Sequence, residues 1–175
     1  MLGKADYTQV MGILNVTPDS FSDGGLYTTI ENAIARAREI DEARAEVIDV
    51  GGESTRPGAD PVSSEEELER VISVTERITE SSEINTLVSI DTYRPDVAEA
   101  ALDAGADIIN DQNGLNDPEM RSLIATREYK AVPMDAVNLP VEREYRSDTE
   151  DVVAEVCDRL QKNVERAHAA GVASD

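Results

Sequence analysis

Four times within its first 114 residues this chain runs a short apolar stretch straight into a loop of hydroxyls, acids and glycines. MGILNVTPDSFSDGG, from Met11 to Gly25, is the first instance, and VIDVGGESTRPGAD, from Val47 to Asp60, is the second. LVSIDTYRPDVAEAALDAGADIINDQNG, from Leu87 to Gly114, does it twice, placing Asp91 and then Asn110 at the ends of apolar runs. Apolar runs this short suit buried strands, and α/β proteins present their reactive groups where such strands empty into loops. The pattern therefore constrains both the fold and the place to look for chemistry.

Between the runs lie amphipathic helical patterns. Strands are predicted over 10–16, 46–50, 86–90, 107–110 and 129–134, and helices over 31–45, 65–79, 95–104, 118–126 and 149–170. Ser63 and Ser64 each have a Glu three residues on, a capping-box signal for the second helix, whose inward stripe reads Leu68, Val71, Ile72 and Thr75. Pro95 suits a first helical turn and Gly105 a helix stop. Pro133 lacks the N–H that a central strand uses, which puts it at a strand end or sheet edge. Five strand–helix pairs in unbroken succession predict one α/β domain over 1–175, a parallel sheet with helices outside.

Net charge is −21, from 37 acids against 16 bases. An excess of this size repels nucleic acid and anionic membrane, and its self-repulsion calls for screening by salt. It is the pattern of a halophile's cytosolic protein. Only one cysteine is present, so no internal disulfide can form, which fits a reducing compartment. No secretory signal pattern opens the chain and no run could span a bilayer, so a soluble cytoplasmic protein is expected. Cys157, in a helical stretch, reads as structural, and His168 reads as a solvated cation near a helix C-terminus.

Taken together, the three blocks resemble the pterin-binding family, most closely its dihydropteroate synthases. The resemblance implies a (β/α)8 TIM barrel of which about the first five βα units are present. It also implies condensation of p-aminobenzoate with (7,8-dihydropterin-6-yl)methyl diphosphate in folate biosynthesis, with no enzyme nucleophile. By motif, Asn15 matches the family's ligand to a diphosphate-bound Mg²⁺, and a neutral carbonyl oxygen suits a hard cation already carrying phosphate. Thr55 and Arg56 match the groups that hold the diphosphate, where a hydroxyl and a planar guanidinium donate to phosphate oxygens. Asn15 and Arg56 would thus stabilise the leaving group. Asp91 and Asn110 match the pterin-holding groups, an acceptor-only carboxylate beside an amide that both donates and accepts. Phe21, Asp23 and Pro57 sit on the two loops that form the p-aminobenzoate pocket in the family. Local readings stay open beside these: Asn15 could satisfy a turn, and Asp91 could cap the helix that follows it.

After the fourth strand the match loosens. The family's Met-His-Met run is replaced by Pro133-Met134-Asp135, and Asp135 is expected to add negative charge near the pocket. The family's Asp-Pro-Gly strand, its pterin-contacting Lys and its terminal Arg-x-His have no counterpart here. A fragment of a longer product, a homodimer, or a chain that a second polypeptide completes is therefore expected, with little turnover alone. A pterin-dependent methyltransferase of the same superfamily and a non-catalytic pterin-binding module are the alternatives.

Overall fold

The computed structural model describes residues 7–17, 26–53, 61–135 and 149–173. Five strands, β1 (Met11–Asn15), β2 (Val47–Gly51), β3 (Leu87–Asp91), β4 (Ile108–Asp111) and β5 (Lys130–Pro133), form one parallel sheet in sequential order. Each is followed by a helix: α1 (Leu26–Glu42), α2 (Ser64–Thr79), α3 (Pro95–Asp103), α4 (Pro118–Arg127) and α5 (Val152–Ala169).

Side chains alternate across a strand, so each strand has two differently employed faces. Leu14, Ile48, Val50, Val88, Ile90 and Ile109 face the helices and form the core with Ala33, Ala37, Val74, Ile78, Ala98 and Met120. The other face carries Ile13, Asn15, Asp49, Gly51, Ser89, Asp91, Ile108 and Asn110. Ile13 on β1, at one edge of the sheet, is 65% exposed.

The helix boundaries follow from local chemistry. Ser63 caps α2, its hydroxyl accepting from Glu66 N–H at 3.2 Å, and Pro95 opens α3. Gly105 stops α3 at φ +98°, where a Cβ would also press on Thr79. Pro133 ends β5 at the sheet edge, the placement its missing N–H predicts. α1 begins at Leu26, earlier than its periodicity predicts, because Tyr27, Thr28 and Thr29 weaken the helical signal without preventing the turn. The inward stripe of α2 is also rotated from expectation: Glu67, Val71, Val74, Thr75 and Ile78 are buried, while Leu68 and Ile72 are half-buried.

Cys157 is exposed on α5 rather than packed, and His168 is exposed in the last turn of that helix. A cavity of about 800 Å³ lies beside edge strand β5 between α4 and α5, lined by Ile124, Tyr129, Val132, Val164 and His168. It is remote in kind from the polar strand ends: its walls are mostly aliphatic, with no cluster of acids or amides.

Candidate functional site

Strand register brings the predicted polar residues together. Asn15 pairs with Gly51, Gly51 with Asp91, and Asp91 with Asn110, so the four lie in one row across the carboxyl ends of β1 to β4. Parallel pairing keeps that row on a single face. Gly51 keeps the row open: a Cβ there would lie 3.5 Å from Asn15 Oδ1 and 3.6 Å from Asp91 Oδ2. Two oxygens from flanking strands thus face one recess that a side chain at 51 would occupy.

Two side chains of the row are tied to neighbours. Gln112 Nε2 donates to Asp91 Oδ1 at 2.8 Å, and Asn110 Nδ2 donates to Asp49 Oδ2 at 3.0 Å. Asp91 does not cap α3, whose N-cap is Arg94 with no side-chain bond, so the capping alternative is set aside. Burial pushes the Asp91 carboxyl up to about 6, opposed by the bond from Gln112 and reinforced by the charges of Asp49, Glu67 and Asp111. Burial likewise raises Asp49. Asp111 turns to the opposite face and accepts from the backbone N–H groups of Asn113 and Leu115, which shapes the loop that returns Gln112 to Asp91.

A second cluster holds the backbone on both sides of residues 54–60. Arg94 donates to Glu53 Oε2 at 2.5 Å, to Glu67, and to the carbonyl of Val62 at 2.8 Å, while its guanidinium lies 4.5 Å from the ring centre of Tyr93. Arg70 adds a bond to the Gly52 carbonyl at 2.8 Å. Gly52 must be small here, since a Cβ would meet Val71 Cγ2 at 2.7 Å. Thr55, Arg56 and Pro57, with Phe21 and Asp23, lie outside the described residues.

Asp135 is paired, sharing the cation of Arg159 with Glu155. Arg159 on α5 grips Asp135 with two bonds of 2.7 Å, which hold its carboxyl below the usual range. Asp49, Gln112, Glu53, Glu67 and Arg94 were not singled out from sequence. Asp49 alone had a signal there, an acid at an alternate position of an apolar strand.

Among the described residues no group of three or more His, Cys, Asp or Glu side chains could hold a metal. A cation here would have Asn15 Oδ1 as a neutral protein donor and would take further oxygens from a phosphate ligand, a set that fits Mg²⁺.

A five-stranded parallel sheet with helices on one face is the first part of a (β/α) barrel, and its polar groups lie at the strand ends, where barrel enzymes carry their functional groups. The chain belongs to the pterin-binding enzyme family, whose model matches residues 11–175. It is 50% identical over 167 residues to the probable bifunctional folylpolyglutamate synthase/dihydropteroate synthase of Haloferax volcanii, covering 95% of this chain and 20% of that protein. It is 47% identical over 172 residues to dihydropteroate synthase of Bacillus subtilis, covering 98% of this chain and 57% of that one. The fold matches the structure of Xanthomonas albilineans dihydropteroate synthase with 4-aminobenzoic acid at a TM-score of 0.85 and 43% identity, covering 96% of this chain and 59% of that one. The chain thus spans less than two thirds of the length of each of these proteins.

Proposed function

We propose that this chain carries the pterin- and diphosphate-binding part of a dihydropteroate synthase. The observation that carries the reading is the row Asn15, Gly51, Asp91 and Asn110, in which oxygens of Asn15 and Asp91 face a recess kept open by a glycine and Asn110 lies next in register. A pterin ring presents a cyclic guanidine-like edge rich in N–H donors, which acceptor-only groups complement. Similar dihydropteroate synthases have been solved with 4-aminobenzoic acid and with 7,8-dihydropteroate, which points to the same substrates.

In this reading Asp91 and Asn110 hold the ring, and Asn15, Thr55 and Arg56 hold the diphosphate. Bound Mg²⁺ supplies charge neutralisation for the leaving group. The methylene C–O bond breaks with its electron pair leaving on pyrophosphate. The p-aminobenzoate nitrogen then bonds that carbon and releases a proton. The chain's own part is positioning and electrostatic stabilisation, and water exclusion falls to the loops bearing Phe21, Asp23 and Pro57. A cytoplasmic, salt-rich setting fits the charge, and no helix among the described residues is long and apolar enough to cross a membrane. Among the described residues, edge strands β1 and β5 each have one strand neighbour, and the remainder of a longer chain, a second copy or a second polypeptide would pair there in this reading.

Titration with the pterin diphosphate and Mg²⁺, followed by p-aminobenzoate and a pyrophosphate assay, tests the proposal. Saturable binding with arylamine-dependent release supports it, and methyl transfer from a methylpterin would replace it. Binding without release would restrict it to a binding role, and no binding at millimolar ligand in high salt would end it.

A further inference from the structure

Beneath the proposed pterin row lie two polar side chains that the family's motifs leave unused, Asp49 and Ser89, and they meet Asn110 of the row itself. Asp49, Ser89 and Asn110 come from three adjacent strands, with Asp49 and Ser89 direct register partners, and they are 5%, 0% and 8% exposed. Asn110 Oδ1 is buried without a hydrogen-bond partner, while the Ser89 hydroxyl lies close enough to Asp49 to pull its carboxyl down against the rise that burial imposes. A core this well packed rarely leaves such an atom unmatched without a reason.

The bond from Asn110 to Asp49 decides how Asn110 can act. Its Nδ2 donates to Asp49 Oδ2 at 3.0 Å, across 61 residues of sequence. An ionised carboxylate only accepts, so turning the amide over would set Asn110 Oδ1 against a carboxylate oxygen with no hydrogen between them. Asn110 Oδ1 is consequently left as a bare acceptor, next in register to Asp91, whose own Oδ1 is occupied by Gln112.

We propose that Asp49 is a positioning and specificity residue for the pterin site: by taking the Asn110 N–H it fixes that amide carbonyl-outward. Two neighbouring strands then offer only acceptors, and the pocket takes a heterocycle whose edge offers adjacent donors, such as an exocyclic amine beside a ring N–H. A dioxo ring would oppose oxygen to oxygen. This rests on the pterin-binding reading above, and it adds that the selection for donors comes from a residue that need not touch the ligand.

The test uses the whole chain in high salt, with pterin and lumazine as probes. Lumazine is the same ring with oxygen in place of the 2-amino group. Wild type should bind pterin at least about tenfold more tightly than lumazine, the discrimination expected when a buried acceptor is left facing another. Asp49→Asn keeps the volume but can accept or donate, so Asn110 is free to turn. The pterin-to-lumazine ratio should then fall by about tenfold, with lumazine affinity held or improved, whereas a merely structural defect would weaken both ligands together.

An independent readout needs no ligand. In ¹⁵N-labelled wild type the Asn110 side-chain amide, identified by its loss in Asn110→Asp, should show an exchange-protected proton that disappears in Asp49→Asn. A ratio unchanged within about twofold in a folded Asp49→Asn overturns the proposal, as does an unprotected Asn110 amide in wild type, which applies even if the variant does not fold. Failure of wild type to bind either ring, with the amide protected, overturns the pterin reading and this selectivity with it while leaving the Asp49–Asn110 contact standing.

Discussion

Arg94→Met removes the one cation that, among the described residues, faces the buried acids Glu53 and Glu67. Arg94 is 16% exposed, while Glu53 and Glu67 are 8% and 1% exposed, so water can replace little of what the guanidinium supplies. Removing one partner of a buried charge cluster costs about 3–5 kcal/mol, far above the roughly 0–1 kcal/mol of an exposed pair. The carbonyl of Val62 loses a donor as well. At about 2–4 °C per kcal/mol for a chain of this size, the melting temperature should drop by about 10 °C. Arg94→Lys should recover only part of the loss, because an ammonium cannot span the two carboxylates and a carbonyl as a planar fork does.

The deficit should depend on pH in a defined direction. Burial already raises Glu67, against the pull of Thr92 and Arg94. Without Arg94 its folded-state pKa rises further above the unfolded value. Across that window the folded state holds more protons than the unfolded state, so stability falls as pH rises. Urea melts followed by circular dichroism at pH 5 and pH 8 in high salt would show a larger deficit at pH 8. A loss below about 1 kcal/mol at pH 8, or a double cycle with Glu67→Gln showing coupling under about 0.5 kcal/mol, would refute the reasoning.

Four further outcomes are expected. Ligand binding that needs ionised Asp91 should weaken about tenfold per pH unit below about 6, and Asp91→Asn should abolish that dependence, as read by pterin fluorescence titration. Arg56→Ala should weaken pyrophosphate binding far more than binding of the pterin ring, so equal losses by calorimetry would remove Arg56 from the diphosphate site. Gly52→Ala should cost about 1–3 kcal/mol in urea melts, since its Cβ would meet Val71 Cγ2 at 2.7 Å. With a net charge of −21, the fold should loosen as salt is withdrawn, and an unchanged melting temperature in dilute buffer would count against charge repulsion as the controlling factor.

Alternation of short apolar runs with helical periodicity was enough to predict five strand–helix units, because period two and period 3.6 are written locally. Ser63, Pro95, Gly105 and Pro133 mark boundaries for equally local reasons, a cap, a fixed φ, a positive φ and a missing donor. Asn15, Asp91 and Asn110 were legible as strand-end residues, and register then put them side by side. Glu67 was hidden because an acid on a helix face reads as solvated unless its cation is known, and Arg94 lies 27 residues away. The Arg159 grip on Asp135 was invisible for the same reason, since a salt bridge across 24 residues has no periodic signature. Asp49 could have been picked out as the lone acid of an apolar strand, although nothing local says that its partner is Asn110.

The row across the strand tips has one more consequence, for assembly. Its members sit on separate strands, and sliding any strand by one position would turn its contribution toward the helices. No two adjacent strands suffice to build the cradle, so partly folded species gain little from ligand. Pterin would therefore act as a selective reward for the fully aligned sheet, and a ligand-dependent rise in melting temperature would measure correct strand alignment as directly as it measures affinity.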